Sequence, residues 1–217
     1  GLIAARRQGV EMAKGDLISF VDGDDWIDPN MYECMIDAYK NEKADMITSG
    51  MIWEWESRTE VLYDNIEEGI YIKEEIQNKI FPRLMSDMVN ERQGITASVC
   101  NKLFNPVLLN QVICSIDPEL TLGEDGAITY SFAVCADKIR IMNQSWYHYR
   151  QRDNSMRISH GLGSFEKLYR LKTNLMNNLK VCGFEFVMEN QINGYVKHFL
   201  LDVVRDVYDM NLNTITH

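Results

Sequence analysis

Three carboxylates fall within four residues at Asp22-Gly23-Asp24-Asp25, directly after the apolar run Leu17-Ile18-Ser19-Phe20-Val21. Like charges this close repel one another in a low-dielectric setting unless a cation neutralises them. A hard divalent ion, Mg2+ or Mn2+, suits that pattern when it is held by one or two carboxylates and completed by phosphate oxygens of a substrate. The same residues also allow a solvated acidic turn whose aspartates cap the helix opened by Pro29. A second acidic pair, Glu124-Asp125 after Gly123, stands at the start of a helical pattern. There it either complements the helix dipole or supplies a general base. A third stretch, Trp146-Tyr147-His148-Tyr149-Arg150-Gln151-Arg152-Asp153-Asn154-Ser155, offers arginine forks suited to phosphate oxygens. A lone His148 among aromatics reads first as a packed residue. Trp53 and Trp55 could stack on a sugar, although interleaved aromatics in a ribbon are more often packing.

Two other uses of the acidic loop are disfavoured by its own residues. Counted from Asp22, a calcium-binding EF-hand loop would need glycine at its sixth position, where Ile27 stands. A phosphatase of the haloacid dehalogenase class places Thr or Val two residues beyond its second aspartate, where this chain has Trp26. That reading stays a minor alternative.

The elements that must hold these groups follow from periodicity. Leu2, Ile3, Val10 and Met12 mix with charged residues as in an amphipathic helix, and Gly15 ends it. Leu17–Val21 reads as a buried strand that delivers the acidic loop at its carboxyl end, where α/β folds bind ligands. A helix from Pro29 to about Asn41 and a strand over 45–49 follow. The alternation implies an α/β layer with a mostly parallel sheet. From Met51 to Tyr71 apolar and charged residues interleave as in an exposed β-ribbon. Helices are expected over 73–86, 106–112 and 124–136, a strand over 139–142, and two further helices over about 164–181 and 187–209.

Composition bounds the function. The chain has 217 residues and a formal net charge of −10, with 46% hydrophobic and 25% charged residues, so it is an ordinary globular protein rather than a disordered one. An acidic chain repels phosphate backbones, which disfavours nucleic-acid binding over a broad surface. Five cysteines, an odd number with no CxxC pair, argue against a disulfide framework or a structural zinc. No apolar run approaches a membrane span and no signal peptide is visible, so the cytoplasm is the expected compartment.

The run Ala4-Ala5-Arg6-Arg7-Gln8-Gly9-Val10, continued by Ala13-Lys14-Gly15-Asp16-Leu17-Ile18-Ser19-Phe20-Val21-Asp22-Gly23-Asp24-Asp25-Trp26-Ile27-Asp28-Pro29, resembles the central segment of family 2 glycosyltransferases with the GT-A fold. Gly123-Glu124-Asp125 is similar to that family's Gly-Glu-Asp motif, and the stretch from Trp146 is similar to its "YYYR-x-R-x-x-S" segment. Arg7 departs from the pattern, which usually has Asn there, close to the nucleotide-sugar. Asn101-Lys102-Leu103-Phe104 is a further family-like fragment, expected near the acceptor, with Lys102 readable as a surface charge.

The resemblance implies an inverting transfer of sugar from a nucleoside diphosphate sugar to a saccharide or polyol acceptor in surface polysaccharide synthesis. It implies Mg2+ or Mn2+ on Asp22 and Asp24, Asp125 as base with Glu124 in support, and Arg6, Arg152 and Ser155 at the donor. It covers about residues 1–157 as the later part of a GT-A catalytic domain, with 158–217 as a helical extension. The family's first nucleotide-binding strands do not precede Gly1. The expectation is therefore a fragment that is inactive alone and self-associates through an exposed apolar edge. In the full-length protein it would make peripheral membrane contact. The competing class is a non-catalytic, degenerate transferase module that binds a saccharide or protein partner.

Overall fold

The computed structural model describes residues 1–87, 92–151, 164–181 and 183–215. Helix α1 (Leu2–Met12) turns Ile3, Arg6 and Val10 inward, the i, i+3, i+7 spacing of a single face. The chain then runs through the acidic loop into a two-residue strand β1 (Trp26–Ile27) and helix α2 (Met31–Glu42), which Lys43 ends in a left-handed conformation. Strand β2 (Met46–Glu54) pairs antiparallel with β3 (Thr59–Leu62), the ribbon expected from alternation, and β4 (Gly69–Ile72) follows but joins another strand. A wound segment comes next: one turn α3 (Lys73–Glu75), a π turn over Ile76–Ile80 and a 3-10 turn over Phe81–Arg83. Strand β5 (Lys102–Phe104) leads into α4 (Pro106–Ser115), whose Asn105 side chain accepts the N–H groups of Val107 and Leu108 at 3.0 and 3.2 Å. Helix α5 (Glu124–Cys135), strand β6 (Lys138–Arg150), and helices α6 (Ser164–Val181) and α7 (Glu185–Ile215) complete the chain.

The sheet corrects two expectations. Among the described residues only β2 and β6 pair in parallel; β1 and β4 on β6, and β3 and β5 on β2, are antiparallel, so the sheet is mixed rather than mostly parallel. The run Leu17–Val21 is not a strand. It makes a single bridge, Ile18 to Phe104, with bonds of 3.0 and 2.9 Å in the two directions. The strand read over 139–142 instead runs on to Arg150 and carries the aromatic segment to the acidic loop.

One hydrophobic core joins the sheet to the C-terminal helices. Its centre is α5, buried all round from Gly126 to Val134. Gly126 lets α7 come close: a Cβ there would stand 2.2 Å from the Tyr195 hydroxyl. Tyr195 also meets Tyr130 edge to face at 5.0 Å. The Gln191 side chain reaches back to the turn after Arg83, accepting from the Met85 and Ser86 amides at 3.0 Å and donating to the Pro82 and Ser86 carbonyls at 2.7 Å. Among the described residues no helix is long and apolar enough to cross a membrane.

Candidate functional site

Arg6 organises the site. It sits on the inward face of α1 with its side chain only 6% exposed, and its guanidinium lies over the Phe20 ring at 5.6 Å. One nitrogen donates to Asp125 Oδ1; another is 3.7 Å from Asp22 Oδ1. The acidic loop and the start of α5, a hundred residues apart in sequence, thus meet across one buried cation. The negative charge of Asp125 holds the Arg6 guanidinium protonated against the opposing effect of its burial.

Asp125 is placed by the start of its helix. Gly123 precedes α5 with φ of +69°, a conformation that favours glycine, and a Cβ there would also strike Leu171 at 2.7 Å. Glu124 and Asp125 then fall in the first turn, where the helix dipole favours negative charge. The second oxygen of Asp125 accepts the Val99 N–H at 3.4 Å. Burial pushes the Glu124 carboxyl up, and the Asp125 charge adds to that.

The three loop aspartates do different things. Asp25 is pinned to β6: the Tyr147 hydroxyl donates to it at 2.6 Å and the Arg150 amide at 2.9 Å. The same hydroxyl accepts the Asp22 N–H at 3.2 Å, so Tyr147 holds the loop at two points. Asp22 faces Arg6 and is 41% exposed; Asp24 is exposed. Burial pushes the carboxyls of Asp22 and Asp25 up, and the Asp24 charge pushes both further. Cys100 is buried close by; burial, with the Asp125 and Asp22 charges behind it, raises its thiol to about 12. Burial also raises the Tyr147 phenol far above its ordinary value.

The donor set can be tested against a divalent ion. Among the described residues no group of three or more His, Cys, Asp or Glu side chains could hold a metal by itself. Asp22 and Asp24 provide hard oxygen donors, and the Asp24 charge adds to the burial that raises the Asp22 carboxyl. Such a pair fits the sparse kind of Mg2+ or Mn2+ site, which takes its remaining ligands from substrate and water.

Other sequence expectations resolve differently. Arg152 and Ser155 lie outside the described residues. Arg7 turns away from Arg6 and donates to the carbonyls of Ile113, Cys114 and Ile116 at 3.1, 3.4 and 2.9 Å, capping the end of α4. His148 is held between Glu54 at 2.7 Å and Asp28 at 3.3 Å and stacks on Trp26 at 5.0 Å. Trp53 and Trp55 pack edge to face at 5.7 Å. Lys102 is not a surface charge: its side chain is wholly buried. The Tyr147 hydroxyl and the Val99 amide were not singled out from sequence. Tyr147 is signalled by an aromatic alternation that turns it to the opposite face from His148, whereas a backbone amide leaves no mark in residue types.

The architecture is an α/β fold with a mixed sheet, and the acidic loop is held against the end of β6. It is similar to Staphylococcus aureus TarS residues 1–349 in complex with UDP-GlcNAc (TM-score 0.60, 18% identity, 80% of this chain and 45% of that one). Residues 1–104 match the model for Glycosyl transferase family 2. Among curated relatives, Glycosyltransferase GlyA of Streptococcus pneumoniae is 27% identical over 156 residues, 72% of this chain and 22% of GlyA. The uncharacterized glycosyltransferase EpsJ of Bacillus subtilis is 23% identical over 157 residues, 72% of this chain and 44% of EpsJ. The chain thus spans less than half the length of these two relatives.

Proposed function

We propose that this chain carries the reaction centre of an inverting glycosyltransferase that moves a sugar from a nucleoside diphosphate sugar to a saccharide or polyol hydroxyl. The observation that supports it most is the bridge through Arg6, which brings the acidic loop and the carboxylate on α5 to a common point. TarS was solved with UDP-GlcNAc, which favours a uridine diphosphate sugar as the first donor to try. Surface polysaccharide is the proposed product class.

Asp22 and Asp24 would hold Mg2+ or Mn2+, which when bound offsets the negative charge growing on the leaving diphosphate. The protein's own groups do the rest. Asp125 accepts the proton of the acceptor hydroxyl as its oxygen attacks the anomeric carbon from the face opposite the diphosphate; the glycosidic bond forms as the sugar–phosphate bond breaks, and the centre inverts. Arg6 and the Val99 N–H fix one carboxylate oxygen each and so orient Asp125. Glu124, whose carboxyl is raised by burial, stands beside Asp125 in the first turn of α5 as its supporting residue. Tyr147 keeps the loop against β6.

The test is UDP-GlcNAc hydrolysis by the full native chain with Mn2+, compared with Asp24→Ala and Asp125→Asn. Each variant is expected to lose about a hundredfold or more of turnover. Equal rates in all three, with saccharide binding retained, would instead identify a non-catalytic binding module.

A further inference from the structure

Lys102 is a fully buried lysine that the reaction above does not use. Its Nζ lies 2.9 Å from the Thr96 carbonyl, 3.1 Å from Thr96 Oγ1, 2.7 Å from the Ser98 carbonyl and 3.0 Å from Asn101 Oδ1. Every one of these acceptors belongs to the turn from Thr96 to Asn101. The turn is held from two other sides: Asp64 accepts the Thr96 amide at 2.7 Å and the Thr48 hydroxyl at 2.7 Å, and the Thr129 hydroxyl on α5 donates to the Ala97 carbonyl at 2.8 Å. The Asn101 side chain donates to the Ser49 carbonyl of β2. At the apex of this turn is Val99, whose amide points at Asp125.

A buried ammonium costs several kcal/mol to desolvate, and burial lowers this one to about 8. Asp64 and Asp125 draw it back toward the charged form. What an apolar residue could not do is satisfy carbonyls that all face the interior of one turn.

We propose that Lys102 is a positioning residue: it winds the 96–101 turn so that the Val99 N–H is delivered to Asp125. This rests on the reading of Asp125 as the base. Lys102 itself touches neither donor nor acceptor, being sealed from solvent. It acts by fixing the orientation of the carboxylate that must meet the acceptor hydroxyl.

Two measurements test it. Hydrogen exchange of the Val99 amide is followed by NMR in wild type, Lys102→Met and Thr129→Val. Protection is expected to fall at least tenfold in Lys102→Met and by a smaller factor in Thr129→Val, which loosens the same turn without touching a charge. Unchanged protection in either folded variant overturns the proposal, and Thr129→Val decides it if Lys102→Met does not fold. In the full native chain, UDP-GlcNAc hydrolysis is followed in Lys102→Met or Thr129→Val, in Asp125→Asn, and in the double variant. The turn variant is expected to lower kcat ten- to a hundredfold with KM for UDP-GlcNAc within twofold, and to add nothing in the Asp125→Asn background. Losses that multiply independently would mean that the turn serves the fold alone. Full turnover by Asp125→Asn itself would remove the base assignment, while the Val99 exchange result would still report whether Lys102 controls the turn.

Discussion

Arg6 and Asp125 stand 119 residues apart and form an ion pair whose arginine is almost wholly withdrawn from solvent. Removing the cation leaves Asp125 and Asp22 facing each other with no neutralising charge between them. Arg6→Met is expected to destabilise the chain by about 2–3 kcal/mol, below the ~3–5 kcal/mol for a fully buried pair because Asp125 keeps 31% exposure to water. Urea unfolding reads this directly. Asp125→Asn in the Arg6→Met background should recover part of the loss, since it removes one of the two opposed charges.

The Tyr147 hydroxyl ties Asp25 and the Asp22 amide to β6. Tyr147→Phe keeps the ring and its packing and removes those two bonds together with the hydroxyl's contact with the Cys100 thiol. A cost of about 1–3 kcal/mol is expected, the upper part of that range because one partner is charged. The acidic loop should also become open to proteolysis around Gly23, measurable as a new cleavage site in limited digestion.

Arg7 separates cleanly from its neighbour. Arg7→Asn, which restores the residue usual in the family, removes the cap on α4 and should cost about 1 kcal/mol in thermal or urea melts. UDP-GlcNAc binding, measured by calorimetry in the full native chain, is expected to be unchanged. A large change in affinity would show that position 7 reaches the donor after all.

Two buried groups give opposite slopes at alkaline pH. Lys102 is lowered from 10.5 to about 8, so between those values the unfolded chain holds more protons, and stability should rise with pH. Cys100 is raised from 9.0 to about 12, so its contribution is intact below 9 and is lost as pH climbs toward 12. Urea midpoints taken from pH 7.5 to 11 should climb first and then flatten or fall. Cys100→Ala should lessen the fall, to which the buried phenols of Tyr130 and Tyr147 also contribute above pH 10, and Lys102→Met should remove the climb.

Metal and nucleotide should act together. UDP with Mn2+ at about a hundred times its Kd is expected to stabilise a binding-competent chain by roughly 2.7 kcal/mol. EDTA should abolish most of that shift. Asp24→Ala should abolish it too, without lowering the melting temperature of the ligand-free protein, since Asp24 is exposed.

Sequence reasoning read some parts of this molecule well because the signals were local. Glycine followed by two acids ahead of an apolar helix placed Glu124 and Asp125 in the first turn of α5, where they are. The ribbon over 51–71 was visible in its alternation. Leu17–Val21 misled because an apolar run shows that a segment is to be covered, not that it pairs as a strand; it bridges Phe104 through Ile18 alone. The parallel sheet misled for a similar reason: pairing direction belongs to the partner strand, which no local pattern names. Lys102 misled because residue type predicts solvent, whereas the inward-turned carbonyls of Thr96 and Ser98, with the Thr96 and Asn101 side-chain oxygens, created a place for a cation. Arg6 and Arg7 are adjacent and chemically identical, and only the helix's rotation decides that one meets Asp125 and the other the end of α4.

The missing side chain at Gly126 has a mechanical meaning. Because the Tyr195 phenol sits where a methyl would be, helix α5 is keyed to α7 immediately next to Asp125. Neither sliding along its axis nor turning about it is open to α5 without expelling that ring. The C-terminal hairpin therefore works as a bedplate: the aim of the carboxylate at 125 is set as much from residue 195, behind it, as from the arginine in front.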